Sequence, residues 1–380
     1  MKKRIFITSI TIILSVILSG LIGRPIRLET DQDQVISLIE NYFTVRYKTI
    51  QDLELKDFSS MIADTTKGNS FFKAENEKLE IEIYHGKIYQ LGYLDFEFFL
   101  DFEKISISRD GMTAIVDVIE GHDVVFEISA PQISSMRNLN HKITLQNING
   151  DWKITSDIYD DYLWRMLRST EKSKAEILLS IDESMQMMLD NANNLQNTIT
   201  NSIQPLQTSS INLPYNRSEA VAYAHEHALS FNTKYYDFTN HGGDCTNFVS
   251  QAIHEGGGAQ MVGSGTYGWY YNDVSDYAAA WTDVTFLYNF ITEYWVWPAG
   301  PEGYEVGKDY ARPGDLIQYD WEGDYSWDHS TIIVQSDDIG YGEMLHMIAS
   351  HTPDCDNYPF YFWSYGNVRF VHIDHVQSTN

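Results

Sequence analysis

A polar stretch carrying two prolines, NSIQPLQTSSINLP (residues 201–214), interrupts the 380-residue chain just past its middle. Proline removes a backbone donor and fixes φ, so neither a long helix nor a central strand runs through such a stretch. The chain must therefore build separate cores on either side of it, and its length suffices for two or three domains of ordinary size. Immediately before the break, Leu178, Ile181, Met185, Met188, Ala192, Leu195 and Ile199 follow one another at steps of three and four, which is a heptad seam. Three heptads are short for a free coiled coil. The seam over 178–199 is expected either to pack on a neighbouring domain or to pair two chains.

Upstream of the seam, DQDQVISLIENYFTVRYKTI places Val35, Leu38, Ile39, Tyr42, Phe43 and Tyr47 at helical spacing. The pattern then alternates in KLEIEIYHGKIYQLGY, in FEKISISRDGMTAIVDVIEGHDVVFEI and in HKITLQNINGDWKITSDIYDD, with turn signals at Asp110-Gly111, Gly121-His122 and Asn149-Gly150. A helix followed by an antiparallel sheet is the expected arrangement. The last hairpin, with Trp152 and Ile154 after Asn149-Gly150-Asp151, resembles the closing strands of an NTF2-like cone domain. Residues 30–165 are accordingly read as an NTF2-like α+β domain and residues 166–212 as heptad helix and linker.

Charge and the N-terminus bound location and partners. Fifty-three acidic against 26 basic side chains give a net charge of -27, which repels a phosphate backbone and excludes nucleic acid as a partner. Lys2, Lys3 and Arg4 precede IFITSITIILSVILSGLIG, 19 residues without a charge, closed by Arg24. That run exceeds the ~7–15 residues of a signal-peptide core and approaches the ~20 that span a bilayer. Residues 1–24 are expected to be a signal peptide or a membrane anchor, with the body extracellular, either secreted or held to the membrane by the N-terminus. No cysteine follows the LSG, so lipid attachment is not supported.

The chain has two cysteines, Cys245 and Cys355, and in an oxidising compartment a disulfide between them is one reading. The other starts from GGDCTNFVSQAI (residues 242–253). The glycines permit a tight backbone approach, Asp244 is a good helix N-cap type, and Cys245 then falls in the first turn of a helix continuing through Phe248, Val249, Ala252 and Ile253. The thiol shares the core-facing stripe and sits at the helix's positive end, which favours thiolate. A cysteine nucleophile needs a base, and the base an orienting group. His329 heads a strand candidate, HSTIIVQS, and His351 ends the next, EMLHMIASHT, across a connection with Gly340 and Gly342 that suits a hairpin. Asp328 is expected to point away from His329, Asp315 to be structural, Asn240 to be a candidate oxyanion donor, and Asn247 and Gln251 to lie on the helix surface. His225 and His227, two apart, are on different helical faces and make a poor metal pair. Trp269, Trp281, Trp321 and Trp327 and their aromatic neighbours either line a substrate groove or pack the long connection.

Together, GDCTNFVSQA, RPGDLIQY, DHSTIIV and SHT resemble an amidase domain family of secreted Gram-positive proteins, related to the NlpC/P60 and CHAP cysteine peptidases with a papain-like core. The resemblance covers roughly Leu213 to His372, and residues 213–375 are assigned to this domain. It implies an α+β fold in which a helix-borne cysteine packs on a small antiparallel sheet. It implies Cys245 as nucleophile, His329 as base, and His351 as third residue, with His346 and Asp354 as contenders. The implied activity is extracytoplasmic hydrolysis of amide bonds, cell-wall peptides among them, through a thioester and with no cofactor or metal. A zinc amidase using Cys245, His329 and His351 as ligands, and a non-catalytic cell-wall binding or scaffolding protein that retains the hydrolase fold, are the competing readings.

Overall fold

The computed structural model describes residues 2–6, 30–159, 161, 163, 164, 167, 173–183, 211–265, 268–293, 297–340, 343–364 and 366–378. The chain forms two compact units, Met1–Pro131 with Asn138–Glu171, and Gln132–Arg137 with Lys172–Asn380. Both are mixed α and β, and their strands pair predominantly antiparallel. Most of the expected signal or anchor segment, from residue 7 on, lies outside the described residues. Among the described residues no helix is long and apolar enough to cross a membrane.

In the first unit β1 (Lys2–Phe6) pairs with Glu97–Asp101. Helix α1 (Asp31–Asp52) starts at a reciprocal cap, in which the Thr30 hydroxyl accepts from the Asp33 amide and the Asp33 carboxylate accepts from the Thr30 amide. Its stripe of Val35, Ile39, Tyr42, Phe43 and Tyr47 is buried as the spacing requires, while Leu38 is half-buried. Helix α2 (Thr66–Tyr89) corrects the strand reading of KLEIEIYHGKIYQLGY. Its buried positions Phe71, Glu75, Lys78 and Leu79 recur at helical spacing, but two of these four are charged. An ion-paired stripe therefore hides the helical period that an apolar stripe would reveal.

The sheet runs β1-β2-β3-β4-β5, with β2 (Tyr93–Ile107), β3 (Thr113–Phe126), β4 (Ser134–Ile148) and β5 (Asp151–Tyr159). Asn149 (φ 56°) and Gly150 (φ 96°) make the β4–β5 turn, both left-handed as a tight hairpin of this hand requires. Gly121-His122 is not a turn. Strand β3 runs straight through it, with Gly121 paired to Phe99.

Inside this unit lies a network of buried ionisable groups. Tyr47 hydroxyl bonds the Glu120 carboxylate and lies 2.6 Å from His122 Nδ1. His141 bridges Glu120 (2.8 Å at Nε2) and Asp157 (3.0 Å at Nδ1). Arg46 lies 3.0 Å from Glu75 and beneath the Tyr159 ring. Burial alone would push the His141 imidazole down, but Asp157 and Glu120 outweigh it and raise it to about 9. Burial alone would raise the Glu120 carboxyl, but bonds from His122 and His141 hold it well below its usual range.

Because the His141 pKa is raised on folding, its contribution to stability is complete below the unfolded value of about 6.5 and is lost as pH climbs to about 9. Melting of the full chain between pH 6 and 10 should show that decline in the transition reporting this unit. His141→Gln should remove the slope and cost about 3–5 kcal/mol at pH 6, because it strands Glu120 and Asp157.

The second unit contains a helix over 174–183, in which Ile177 and Ile181 are fully buried and Leu178 only half-buried. The rest of the heptad seam lies outside the described residues. There follow β6 (Ile211–Pro214), α3 (Arg217–His227), α4 (Cys245–Gln251) continued by a π-helical turn at Ala252–Gly256, a short hairpin β7 (Tyr271–Asp273) and β8 (Asp276–Tyr277), α5 (Ala279–Thr282) and α6 (Val284–Thr292). The strands β9 (Gly300–Val306), β10 (Leu316–Asp320), β11 (His329–Gly340), β12 (Glu343–Ser350), β13 (Asp354–Pro359) and β14 (Asn367–Ser378) complete it. Their order is β13-β12-β11-β10-β14, with β6 and β9 also on β14, and Ser135–Arg137 pair with Asp354–Asp356 of β13. Helix α4 packs on β11 and β12. Every residue from Cys245 to Gln251 is buried, so Asn247 and Gln251 are not surface groups.

Candidate functional site

The approach to Cys245 is set by backbone conformation. Gly242 and Gly243 have φ of +103° and +109°, a region costly for any side chain, although a Cβ on Gly242 would meet nothing within 4 Å. The glycines serve the turn, not a close approach. Asp244 occupies the N-cap position of α4, yet its side chain makes no capping bond. One carboxylate oxygen accepts from the Phe238 amide (2.8 Å) and the Asn247 side chain (2.8 Å), and the other takes His351 Nδ1 at 2.6 Å. The Asp244 amide donates to the Thr352 hydroxyl. Asn247 in turn accepts from the Trp281 indole at 2.7 Å. This network locks the first turn of α4 to the preceding loop, to the end of β12 and to α5.

His329 is the first residue of β11, opposite Tyr319. Its ring is buried, stacked on Trp321 and edge-on to Trp363, and its Nε2 lies 3.0 Å from Ser350 Oγ. Ser350 Oγ also lies 3.1 Å from the Ser330 carbonyl and 3.0 Å from the His351 carbonyl. A hydroxyl has one proton, and both carbonyls can only accept, so that proton goes to a carbonyl and Ser350 accepts from His329 Nε2–H. The neutral imidazole thus carries its lone pair on Nδ1. That tautomer is the one a base needs when Nδ1 is the nitrogen that receives the proton.

The Cys245 thiol is buried beside the Ser330 amide and 3.7 Å from the Thr246 hydroxyl, which itself donates to Ser330 Oγ at 3.1 Å. By standard backbone dimensions this puts the sulfur within about 6 Å of the His329 Cα. Burial pushes the thiol above its ordinary pKa, and the Asp244 carboxylate adds to that, against the opposing pull of the Ser330 amide and Thr246. The resting group is a thiol, contrary to the thiolate expected from a helix start. Cys355 is also free and buried, so no disulfide joins the two.

His351 is not brought to His329. Extending the Ile332–Ala349 pairing places it opposite Ser330, one residue out of step with His329 and therefore on the other face of the sheet. There it pairs with Asp244, donates Nε2–H to the His227 carbonyl at 2.8 Å, and stacks on Phe248. Burial works to lower its pKa, but the Asp244 bond and the charge of Asp354 leave it raised. His346 is tied to Ser336 and the Lys308 carbonyl, and burial pushes it down to about 4. The charge of Asp354 acts on His351. The side chain that meets His329 Nε2 is that of Ser350, which sequence reasoning passed over; its signal was the alternation that separates 350 from 351.

The other candidates have the following surroundings. Asn240 is exposed in the turn. Gln251 accepts from Tyr223. Asp315 binds Arg217, the Arg312 and Ile373 amides, and His372, joining α3 to β14. His225 pairs with Asp356. Asp328 accepts from the Trp321 amide and closes the loop before His329. Among the described residues only Asp320, Glu322 and Asp328 bring metal-ligand atoms together, and Asp320 already accepts from three amides and Asn367. Trp269 and Trp281 are fully buried and pack the connection, whereas Trp327 is half-exposed.

Two neighbouring residues should separate cleanly by experiment. His351→Gln should lower the melting temperature by the equivalent of about 3–5 kcal/mol, since it leaves Asp244 buried without its counter-charge. In the native protein that contribution is present below about pH 6.5 and is lost as pH rises through the raised His351 pKa. Ser350→Ala should cost only about 1 kcal/mol. Thermal melts at pH 6 and pH 9 measure both.

Comparison with known proteins follows this geometry. Protein YhbB of Bacillus subtilis (strain 168) is 34% identical over 126 residues, 32% of this chain and 38% of the relative. Protein YjcM of the same organism is 27% identical over 200 residues, 50% of this chain and 43% of the relative. The chain thus spans less than half the length of either. The crystal structure of the intermembrane space region of chloroplast protein ARC6 aligns with 33% of this chain and 92% of that one, at 12% identity and a TM-score of 0.23. Residues 214–373 match the family model described as "Putative amidase domain", which points to amide hydrolysis as the reaction class of this region.

Proposed function

We propose that residues 214–373 form a cysteine hydrolase of papain-like arrangement that cleaves amide bonds outside the cytoplasm, cell-wall peptides being the expected substrates. The observation that carries this reading is the Ser350–His329 bond, which leaves a base with a defined tautomer on the strand whose second residue faces the Cys245 thiol. The N-terminal uncharged run supports the location, and the NTF2-like pattern of the first half is an accessory to it.

Because its pKa is raised, Cys245 rests as the thiol, and His329 Nδ1 takes the thiol proton as Sγ attacks the substrate carbonyl carbon. A C–S bond forms and the carbonyl oxygen becomes an oxyanion. The Cys245 N–H, which has no intrahelical acceptor at the first helical position, is a donor available to it. The intermediate collapses to a thioester as the amine leaves with the proton from His329. Water, deprotonated by His329, then releases the acid and restores the thiol. Ser350 holds the imidazolium that forms in both halves.

Cys245→Ala should abolish peptide-amide hydrolysis with the melting temperature kept within a few degrees, and retained activity would overturn the reading. Ser350→Ala should lower kcat about tenfold to a hundredfold with KM little changed. Iodoacetamide labelling of Cys245 in the free protein should rise with a midpoint above the ordinary ~8.5, as a buried, raised thiol requires.

A further inference from the structure

Arg369 on β14 is buried to 8% exposure with its guanidinium clamped between two rings, 3.6 Å from the Tyr288 centroid and 3.9 Å from that of Trp327. Its Nε and Nη2 both donate to Gln318 Oε1, at 2.8 and 2.6 Å. That leaves the Nη1 edge. No carboxylate of the described residues is within ion-pair distance of it. The two that act on it from further away are engaged, Glu305 by the Tyr288 hydroxyl and Asp320 by four donors. Burying a guanidinium without a counter-charge is costly, and here burial pulls its pKa down to about 10. The rings and Gln318 fix the fork in one orientation, as a preformed receptor for a planar anion requires.

The register connects this cation to the thiol. Arg369 is opposite Gln318, Gln318 is opposite Ser330, and Gln318 Nε2 donates to Ser330 Oγ at 3.1 Å. Two strand spacings of about 4.8 Å put Arg369 about 10 Å from Ser330, whose amide faces Cys245. Trp327, half of the clamp, lies two residues before His329 on the same chain segment.

We propose that Arg369 is a specificity residue that binds a carboxylate of the substrate, so that the hydrolase reads acidic peptides in which a free carboxyl group lies about two to four residues from the amide that is cut. This rests on the cysteine-hydrolase reading of the same site. At about 3.3–3.6 Å per extended residue, that length spans the gap.

A length series tests it in the full chain without knowledge of the natural substrate. Bromoacetyl-glycine oligomers of one to five glycines, each as free acid and as carboxamide, alkylate a thiol by forming S–C and expelling bromide, with the proton passing to His329 or buffer. Modified residues are mapped by mass. At one matching length the acid should label Cys245 about tenfold faster than its amide. The preference should fade at high salt, disappear in Arg369→Gln and survive in part in Arg369→Lys. The chain's net charge of -27 disfavours an anionic reagent elsewhere, so a preference for the acid is specific. Equal rates for acid and amide at every length would overturn the assignment of Arg369 while leaving the nucleophile standing. Labelling of Cys245 no faster than of Cys355 by any member would remove the nucleophile, and this proposal with it. The wild-type comparison decides even where a variant folds poorly.

Discussion

The second unit depends on one buried carboxylate. Asp244 is fully inaccessible and has four partners, which come from the preceding loop (Phe238), its own helix (Asn247), the end of β12 (His351) and, through its amide, Thr352. A carboxylate in such a place is stable only because both oxygens are met and because His351 carries the opposing charge. The same residue precedes the thiol. The position of Cys245 against β11 is therefore a consequence of an ion pair, and the helix that bears it is only seven residues long before it widens into a π turn. A helix that short has little stability of its own. Its geometry is supplied by the network that grips its first turn.

Strand β12 serves two purposes at consecutive positions. Ser350 faces His329 and sets its tautomer, while His351 faces α4 and balances Asp244. Alternation along a strand forces this division, and a slip of one residue would exchange the two roles and ruin both. The β11–β12 ladder ends at Ile332–Ala349, and its bulge between Ile333 and Gln335 lies on the side away from this pair. His329, the proposed base, is thus oriented by a hydroxyl whose own proton is committed to a carbonyl, a weaker support than a carboxylate but one that adds no charge to a buried pocket.

Much of this was legible in the sequence and some was not, for identifiable reasons. The helix start at Cys245, the strand headed by His329 and the hairpin that follows could be read because glycine, apolar periodicity and turn signals are local. The choice between Ser350 and His351 could not, because it turns on strand parity, and a histidine draws attention that a serine does not. Asn247 and Gln251 looked like surface groups because amides usually are. They are buried because α4 is enclosed on all sides, which no period within α4 reveals. Helix α2 was hidden by the opposite effect: Glu75 and Lys78 occupy core positions as ion-paired groups, so the apolar residues that remained fell into a strand-like alternation.

The two ends of the proposed cleft treat burial in complementary ways. At Cys245, desolvation favours the neutral thiol; in the proposed mechanism charge forms only when His329 accepts the proton, and the imidazolium is then held by Ser350 and enclosed by Trp321 and Trp363. At Arg369 the charge cannot be given up at neutral pH even with its pKa lowered, so the protein stabilises it with ring faces and an amide oxygen in place of an anion. In this proposal the thiol stays uncharged until a substrate arrives, whereas Arg369 is charged and, among the described residues, has no carboxylate within ion-pair distance. A peptide whose carboxylate settles on Arg369 would bring an amide to the thiol. The desolvation that penalises a lone thiolate would then act on a pair of opposite charges, formed together by one proton transfer.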